Sequence, residues 1–260
     1  MSGSRGVASD TDRGLYCEVT GTGPRVVLAH GFTQTGASWR PLVAELAGDL
    51  QVVTVDLPGH GGSGAIGADL PTAAGLLGEV GGPATYVGYS MGGRVALRLA
   101  LDVPDLVARL VLIGATAGIE DPGERAARRA SDEALAERIE RDGVERFLTD
   151  WLAQPLFGSL VPAADDLAAR RANSTSGLAS SLRLAGTATM DPPWWDELGR
   201  IDAPTLVLAG ERDAKFVVIG GRLVKAIGAN AQLASIEGAD HAAHLERPSA
   251  VAQAILTFIA

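Results

Sequence analysis

The stretch Ala84-Thr-Tyr-Val-Gly88-Tyr-Ser90-Met-Gly92-Gly-Arg94-Val-Ala-Leu-Arg-Leu-Ala100 reads as a buried strand, a very tight turn and a helix. Ala84 to Tyr89 is a short, largely apolar run, and Arg94 to Ala100 repeats apolar residues at helical spacing. Glycines two residues before and two after Ser90 remove side chains where the strand and helix would otherwise collide. A serine in that context is exposed at a strand end, which marks it as reactive rather than as one more residue of a Gly-rich loop.

Working outward, Arg25 to Ala29 and Leu50 to Asp56 are short β-branched-rich runs separated by a helical pattern from Trp39 to Ala47. Leu15 to Thr20, Leu110 to Gly114, Thr205 to Gly210 and Gln232 to Ile236 are further strands, and a helix from about Ser249 to Phe258 closes the chain. This βαβ rhythm predicts a mostly parallel sheet flanked by helices, with Ser90 on the nucleophile elbow of an α/β-hydrolase fold. From Glu120 to Asp191 the pattern is charged, Ala-rich and helical without a strand. The expectation is a core at 23–119 and 192–260, an inserted helical cap at 120–191, and a leader at 1–22 that runs into the first strand. Gly143, Gly158 and Gly177 are candidate hinges for the cap.

The 260 residues suffice for one large core without disulfides, and the single cysteine, Cys17, sits in an expected strand as a small core residue. Residues 1–13 lack an apolar signal-like run, and no apolar stretch approaches the ~20 residues that span a bilayer. A cytoplasmic protein is expected. A net charge of −9 disfavours nucleic acid and anionic membranes as partners. An anionic substrate would need local arginines, which residues 120–190 supply, although most of these decorate solvated helix faces.

A serine hydroxyl becomes nucleophilic or basic only when a neighbour accepts its proton, usually an imidazole oriented by a buried carboxylate. His241, in the loop after the last strand, occupies the place of that imidazole in the chain order Ser, Asp, His. His244, three residues on, is read as supporting. Asp213 follows the strand ending at Gly210 and is the chosen acid over Glu211 and Asp240. The expected oxyanion donors are the backbone N–H of Met91, next to the serine, and that of Phe32, in the loop His30-Gly-Phe-Thr33. His30 and His60 are read as structural. Gly59-His-Gly-Gly-Ser-Gly64 matches a dinucleotide fingerprint but opens no helix, so nucleotide binding is rejected. No histidine or carboxylate spacing suggests a metal site.

At these residues the chain resembles one family within the α/β-hydrolases, the 2-succinyl-6-hydroxy-2,4-cyclohexadiene-1-carboxylate synthases of menaquinone biosynthesis. The elbow Gly88-Tyr-Ser-Met-Gly-Gly-Arg94, Asp56-Leu-Pro-Gly-His-Gly-Gly-Ser63, Gly210-Glu-Arg-Asp-Ala-Lys-Phe216 and His241-Ala-Ala-His-Leu-Glu-Arg-Pro248 carry the likeness, in the family's order. Cap segments around Arg128, Trp151 and Arg171-Ala-Asn173 add to it. Met91 stands where leucine is commoner, and Asp240 replaces a glycine. The resemblance implies a lyase that eliminates pyruvate from a polyanionic small molecule by proton abstraction, without an acyl-enzyme and with no metal or organic cofactor. It further implies that Arg94, Arg128 and Arg171 hold carboxylates, that Trp151 packs near the ligand and that Tyr89 lines the site. The motifs of the triad alone are equally compatible with a serine hydrolase of the same fold.

Overall fold

The computed structural model describes residues 14–158 and 160–260, so most of the expected leader lies outside the described residues. Seven strands form one sheet: β1 (Cys17–Thr20), β2 (Arg25–Ala29), β3 (Gln51–Val55), β4 (Ala84–Tyr89), β5 (Val107–Ile113), β6 (Thr205–Gly210) and β7 (Ala231–Ile236). Their order is β1-β3-β2-β4-β5-β6-β7. Only β1 runs antiparallel to its neighbour; the other pairings are parallel.

Ten helices accompany the sheet among the described residues: α1 (Arg40–Leu46), α2 (Leu70–Gly81), α3 (Met91–Asp102), α4 (Pro122–Asp142), α5 (Val144–Leu152), α6 (Ala164–Arg171), α7 (Thr175–Ala185), α8 (Ala214–Ile227), α9 (Ala243–Glu246) and α10 (Pro248–Ile259). Because side chains alternate along a strand, each inner strand feeds two cores. Val27, Val53, Tyr86, Leu110 and Leu112 pack with Leu77, Leu99 and Leu223 of α2, α3 and α8. Val26, Leu28, Val87, Val111 and Ile113 pack with Leu42, Leu46, Val251 and Ile255 of α1 and α10. Burial on both faces explains the unbroken apolar runs of the central strands.

Helix α2 carries no strong sequence signal, because glycine ordinarily weakens a helix. Here the missing side chains admit neighbours: a Cβ at Gly78 would lie 2.9 Å from a Leu99 methyl, and one at Gly81 would overlap the Tyr86 hydroxyl. The loop after Gly64 runs to Asp69, whose carboxylate accepts from the Thr72 N–H and caps α2. The glycine-rich segment before it therefore forms only a single 3-10 turn, Gly61–Ser63, and opens no α-helix at the strand end.

Helices α4 to α7 lie between β5 and β6 in the chain, although those strands pair directly. The segment has a small core of its own, with Ala136, Ile139, Phe147 and Leu148 against Leu178 and Leu182. Gly177 is buried rather than free: a Cβ there would overlap the Ser174 hydroxyl and the Gly59 carbonyl region, so α7 meets the 59–64 loop backbone to backbone. That position is a packing contact and not a hinge.

The loops at the carboxyl ends of β2 and β3 are tied by buried polar groups. Asp56 accepts from Gly36 N–H (2.6 Å) and Gly62 N–H (2.8 Å). His30 Nε2 accepts from Leu57 N–H, so its Nδ1 carries the proton and donates to the Gly31 carbonyl. His60 does the same between Thr33 N–H and the Pro58 carbonyl. Among the described residues no helix is long and apolar enough to cross a membrane.

Burial lowers the pKa of His30 to about 4 and of His60 to about 3, and holds His244 well below the usual imidazole range. The unfolded chain takes up these protons near pH 6.5, whereas folded His30 and His60 do not until about pH 4 and about pH 3, and folded His244 only well below 6.5. Stability should therefore fall as pH drops from 6.5 towards 4, by up to three protons per molecule. Urea unfolding midpoints at pH 7 and pH 5 check this, and His60→Gln should reduce the slope by about one proton. A second prediction concerns the crossing of α3 over β2, where a Cβ on Gly92 would overlap the Ala29 carbonyl. Gly92→Ala should cost about 3 kcal/mol, a fall in Tm of about 6–12 °C by calorimetry.

Candidate active site

β4 ends at Tyr89 and α3 begins at Met91, which leaves one residue to reverse the chain direction. Ser90 does so with φ 50° and ψ −104°. A side chain at Gly88 would overlap the Gly92 carbonyl and one at Gly92 the Ala29 carbonyl, which is why both flanking positions are glycine. The Ser90 N–H is bound to the Ile113 carbonyl (2.8 Å), anchoring the strained turn to β5.

His241 lies 3.4 Å through Nε2 from Ser90 Oγ and 2.6 Å through Nδ1 from Asp213 Oδ2. With Nδ1–H donating to the carboxylate, Nε2 is left to accept from the serine. Asp213 is itself fixed, because its other oxygen caps α8 by accepting from Phe216 N–H. His241 is 3% exposed and Phe216 packs against its ring, so the dyad is shielded from water. Glu211 instead accepts from Gly238 N–H, and Asp240 points away to the Gly158 turn.

Met91 N–H is the first of α3 and has no carbonyl one turn back. Phe32 N–H lies in the loop opposite, and among the described residues neither amide donates to a protein acceptor. Gly31 is needed there because the Tyr89 ring occupies the space of a Cβ (2.6 Å). His244 stacks on Trp39 and Tyr89, and the Gln34 amide bridges its Nε2 (3.3 Å) and the Gly31 N–H (3.0 Å). This histidine supports the loop and lies apart from the serine's proton path.

A cavity of about 150 Å³ opens above Ser90. Phe32, Trp151, Phe157 and Phe216 supply its apolar walls, and Tyr89, Met91 and His241 its floor. Burial pushes the Tyr89 phenol up, which keeps its proton in place as a hydrogen-bond donor. Among the described residues four cationic side chains line the cavity, Arg94, Arg128, Arg170 and Lys215, and no carboxylate does. Arg94 is buried on α3 and donates to the Ala185 carbonyl (2.9 Å). Burial, then repulsion from Arg128, lowers its pKa to about 9, still charged at neutral pH. Arg128, half exposed on α4, pairs with Asp132 (2.8 Å).

Arg171 is not among the lining residues. Its guanidinium is half exposed and faces Glu145 at 3.5 Å. Successive residues on a helix point about 100° apart, so only one of Arg170 and Arg171 can face inward. Arg170 does: it is 1% exposed and pairs with Asp166 one turn back (2.8 Å). The spacing of Asp166 and Arg170, four residues apart, is the sequence signal that distinguishes the two. Lys215 and Gln34 were also missed; their position against the cavity depends on how loops from distant strands meet.

The comparisons with known proteins agree with this architecture. Residues 26–254 match the model of the alpha/beta hydrolase family. A 2-succinyl-6-hydroxy-2,4-cyclohexadiene-1-carboxylate synthase from Klebsiella pneumoniae (strain 342) is 35% identical over 91% of this chain and 94% of its own. The solved structure of MenH from S. aureus superposes with a TM-score of 0.86 at 30% identity, covering 94% of this chain and 97% of the other. A malate-bound thermophilic esterase from Thermogutta terrifontis is similar at TM-score 0.79 and 28% identity, over 94% of this chain and 92% of that one. The fold, the elbow and the full-length likeness converge: the chain belongs to the alpha/beta hydrolase family and, within it, to the 2-succinyl-6-hydroxy-2,4-cyclohexadiene-1-carboxylate synthases.

Proposed function

We propose that this chain is a lyase that eliminates pyruvate from 2-succinyl-5-enolpyruvyl-6-hydroxy-3-cyclohexene-1-carboxylate, with Ser90, His241 and Asp213 as its proton-transfer machinery. The observation that carries the reading is electrostatic. In a chain of net charge −9, the cavity over Ser90 is lined, among the described residues, by four cations and no carboxylate. Arg94, Arg170 and Trp151, which line it, each keep a buried side-chain nitrogen without an acceptor among the described residues. Unmet donors and unbalanced positive charge at such a site favour a ligand bearing several carboxylates. The substrate bears three: on the ring, the succinyl chain and the enolpyruvyl ether.

In the reaction His241 takes the Ser90 proton, and the serine oxygen removes the ring proton beside the succinyl ketone. The electron pair forms an enolate whose oxygen accepts from the Met91 and Phe32 N–H groups, donors of a kind worth about 10²–10³ in turnover. The enolate then collapses through the ring double bond and breaks the bond to the enolpyruvyl oxygen. The departing group takes the proton from His241 and tautomerises to pyruvate, leaving the conjugated diene. Asp213 stabilises the transient imidazolium. Arg94, Arg128 and Arg170 hold the carboxylates, each contact supplying about 1.5–3 kcal/mol where water is excluded.

Pyruvate release by the purified chain tests this directly. Ser90→Ala should lower turnover at least 10³-fold. Arg94→Ala, Arg128→Ala and Arg170→Ala should each cost about 10–10²-fold in kcat/KM, whereas Arg171→Ala should stay within about twofold. Brisk cleavage of a p-nitrophenyl ester without pyruvate release would replace the lyase with a hydrolase.

A further inference from the structure

Among the described residues, two that are not glycine have positive φ, Ser90 at 50° and Thr33 at 69°. They flank the two candidate oxyanion donors: Ser90 precedes Met91, and Thr33 follows Phe32. For Ser90 the sharp elbow explains the conformation. A β-branched residue in the left-handed region is a stronger outlier, and persists only where surrounding groups hold it.

The group that holds it belongs to the segment between α6 and α7. Asn173 is 5% exposed, donates through Nδ2 to the Thr33 carbonyl (2.9 Å) and accepts through Oδ1 from Gly61 N–H (2.8 Å). Both bonds are short, and together they clamp the loop after β2 to the loop after β3. Arg170 Nη1 adds a longer contact to Thr33 Oγ1 (3.2 Å), and His60 accepts from Thr33 N–H at 3.3 Å. Neither Asn173 nor Thr33 lines the cavity.

We propose that Asn173 is a positioning residue for the reaction: by holding Thr33 left-handed across 140 residues of chain, it aims the adjacent Phe32 N–H at the developing enolate oxygen. The inserted helices thus complete the oxyanion site as well as roofing the cavity. This rests on the reading above in which Phe32 N–H is an oxyanion donor.

Asn173→Asp separates the two bonds, since the carboxylate still accepts from Gly61 N–H but cannot donate to Thr33. In pyruvate release it should lower kcat about 10–10²-fold with KM within about twofold. Amide exchange of the 30–36 segment should quicken about tenfold or more, with melting of the whole chain little changed. Thr33→Asn supplies a residue of similar size that favours the left-handed region; alone it should stay within about threefold of the parent. In the Asn173→Asp background it should recover most of the lost kcat and slow the exchange again. Unchanged kcat, a loss confined to KM, or no rescue by Thr33→Asn would overturn the proposal. A parent chain that releases no pyruvate would overturn the lyase reading instead, and the exchange of segment 30–36 in the three variants would still decide the role of Asn173.

Discussion

The structure depends on a backbone constraint at the end of β4. One residue must reverse the chain between a buried strand and a helix, and only a left-handed turn is short enough. The strain, of order 1–3 kcal/mol, is met by the glycines on either side and by the bond from Ser90 N–H to β5. From that turn follow the exposure of the serine and the free amide at the start of α3. The placement of His241 also follows, since its loop must reach the same point from β7. The other parts of the site are arranged around a serine whose position is not negotiable.

Charge is organised with the same economy. Carboxylates outnumber basic groups over the whole chain, yet among the described residues the charged groups that line the cavity over Ser90 are all cationic. Arg94 and Arg128 face each other closely enough for Arg128 to help depress the Arg94 pKa. Arg128 is half exposed and has Asp132 as its partner, whereas Arg94 is buried, and a buried cation beside a like charge favours a ligand of opposite sign. Elsewhere, on the exposed helices, arginines are saturated by carboxylates, as in the Arg183 contacts with Glu133 and Glu140. The buried arginines of the cavity keep unpaired nitrogens, and the exposed ones do not need them.

Much of this was legible in the residue order. The sheet, the elbow and the chosen serine, histidine and aspartate rest on local signals: short apolar runs, flanking glycines, and polar residues directly after strands. Strand ends differ by a few residues, as where β5 begins at Val107 rather than Leu110. What escaped is what depends on phase or on distance. Arg170 and Arg171 are adjacent and chemically identical, and only the rotation of α6 against the core separates a buried fork from a solvated one. Helix α2 escaped because its glycines serve a neighbour's side chains. Asn173 has no local signature, since its two partners lie more than a hundred residues earlier.

The contact between Gly59 and Gly177 bears on how such a protein can be recombined. Each glycine leaves room for the other's backbone, so the inserted helices and the loop after β3 are complementary at a point where no side chain can adapt. A chimera that exchanged the helices between β5 and β6 alone would place a foreign surface on that carbonyl and break the seam. A transplantable unit is therefore discontinuous in sequence: the helices must travel at least with the segment from Pro58 to Gly64, and two crossovers become four or more.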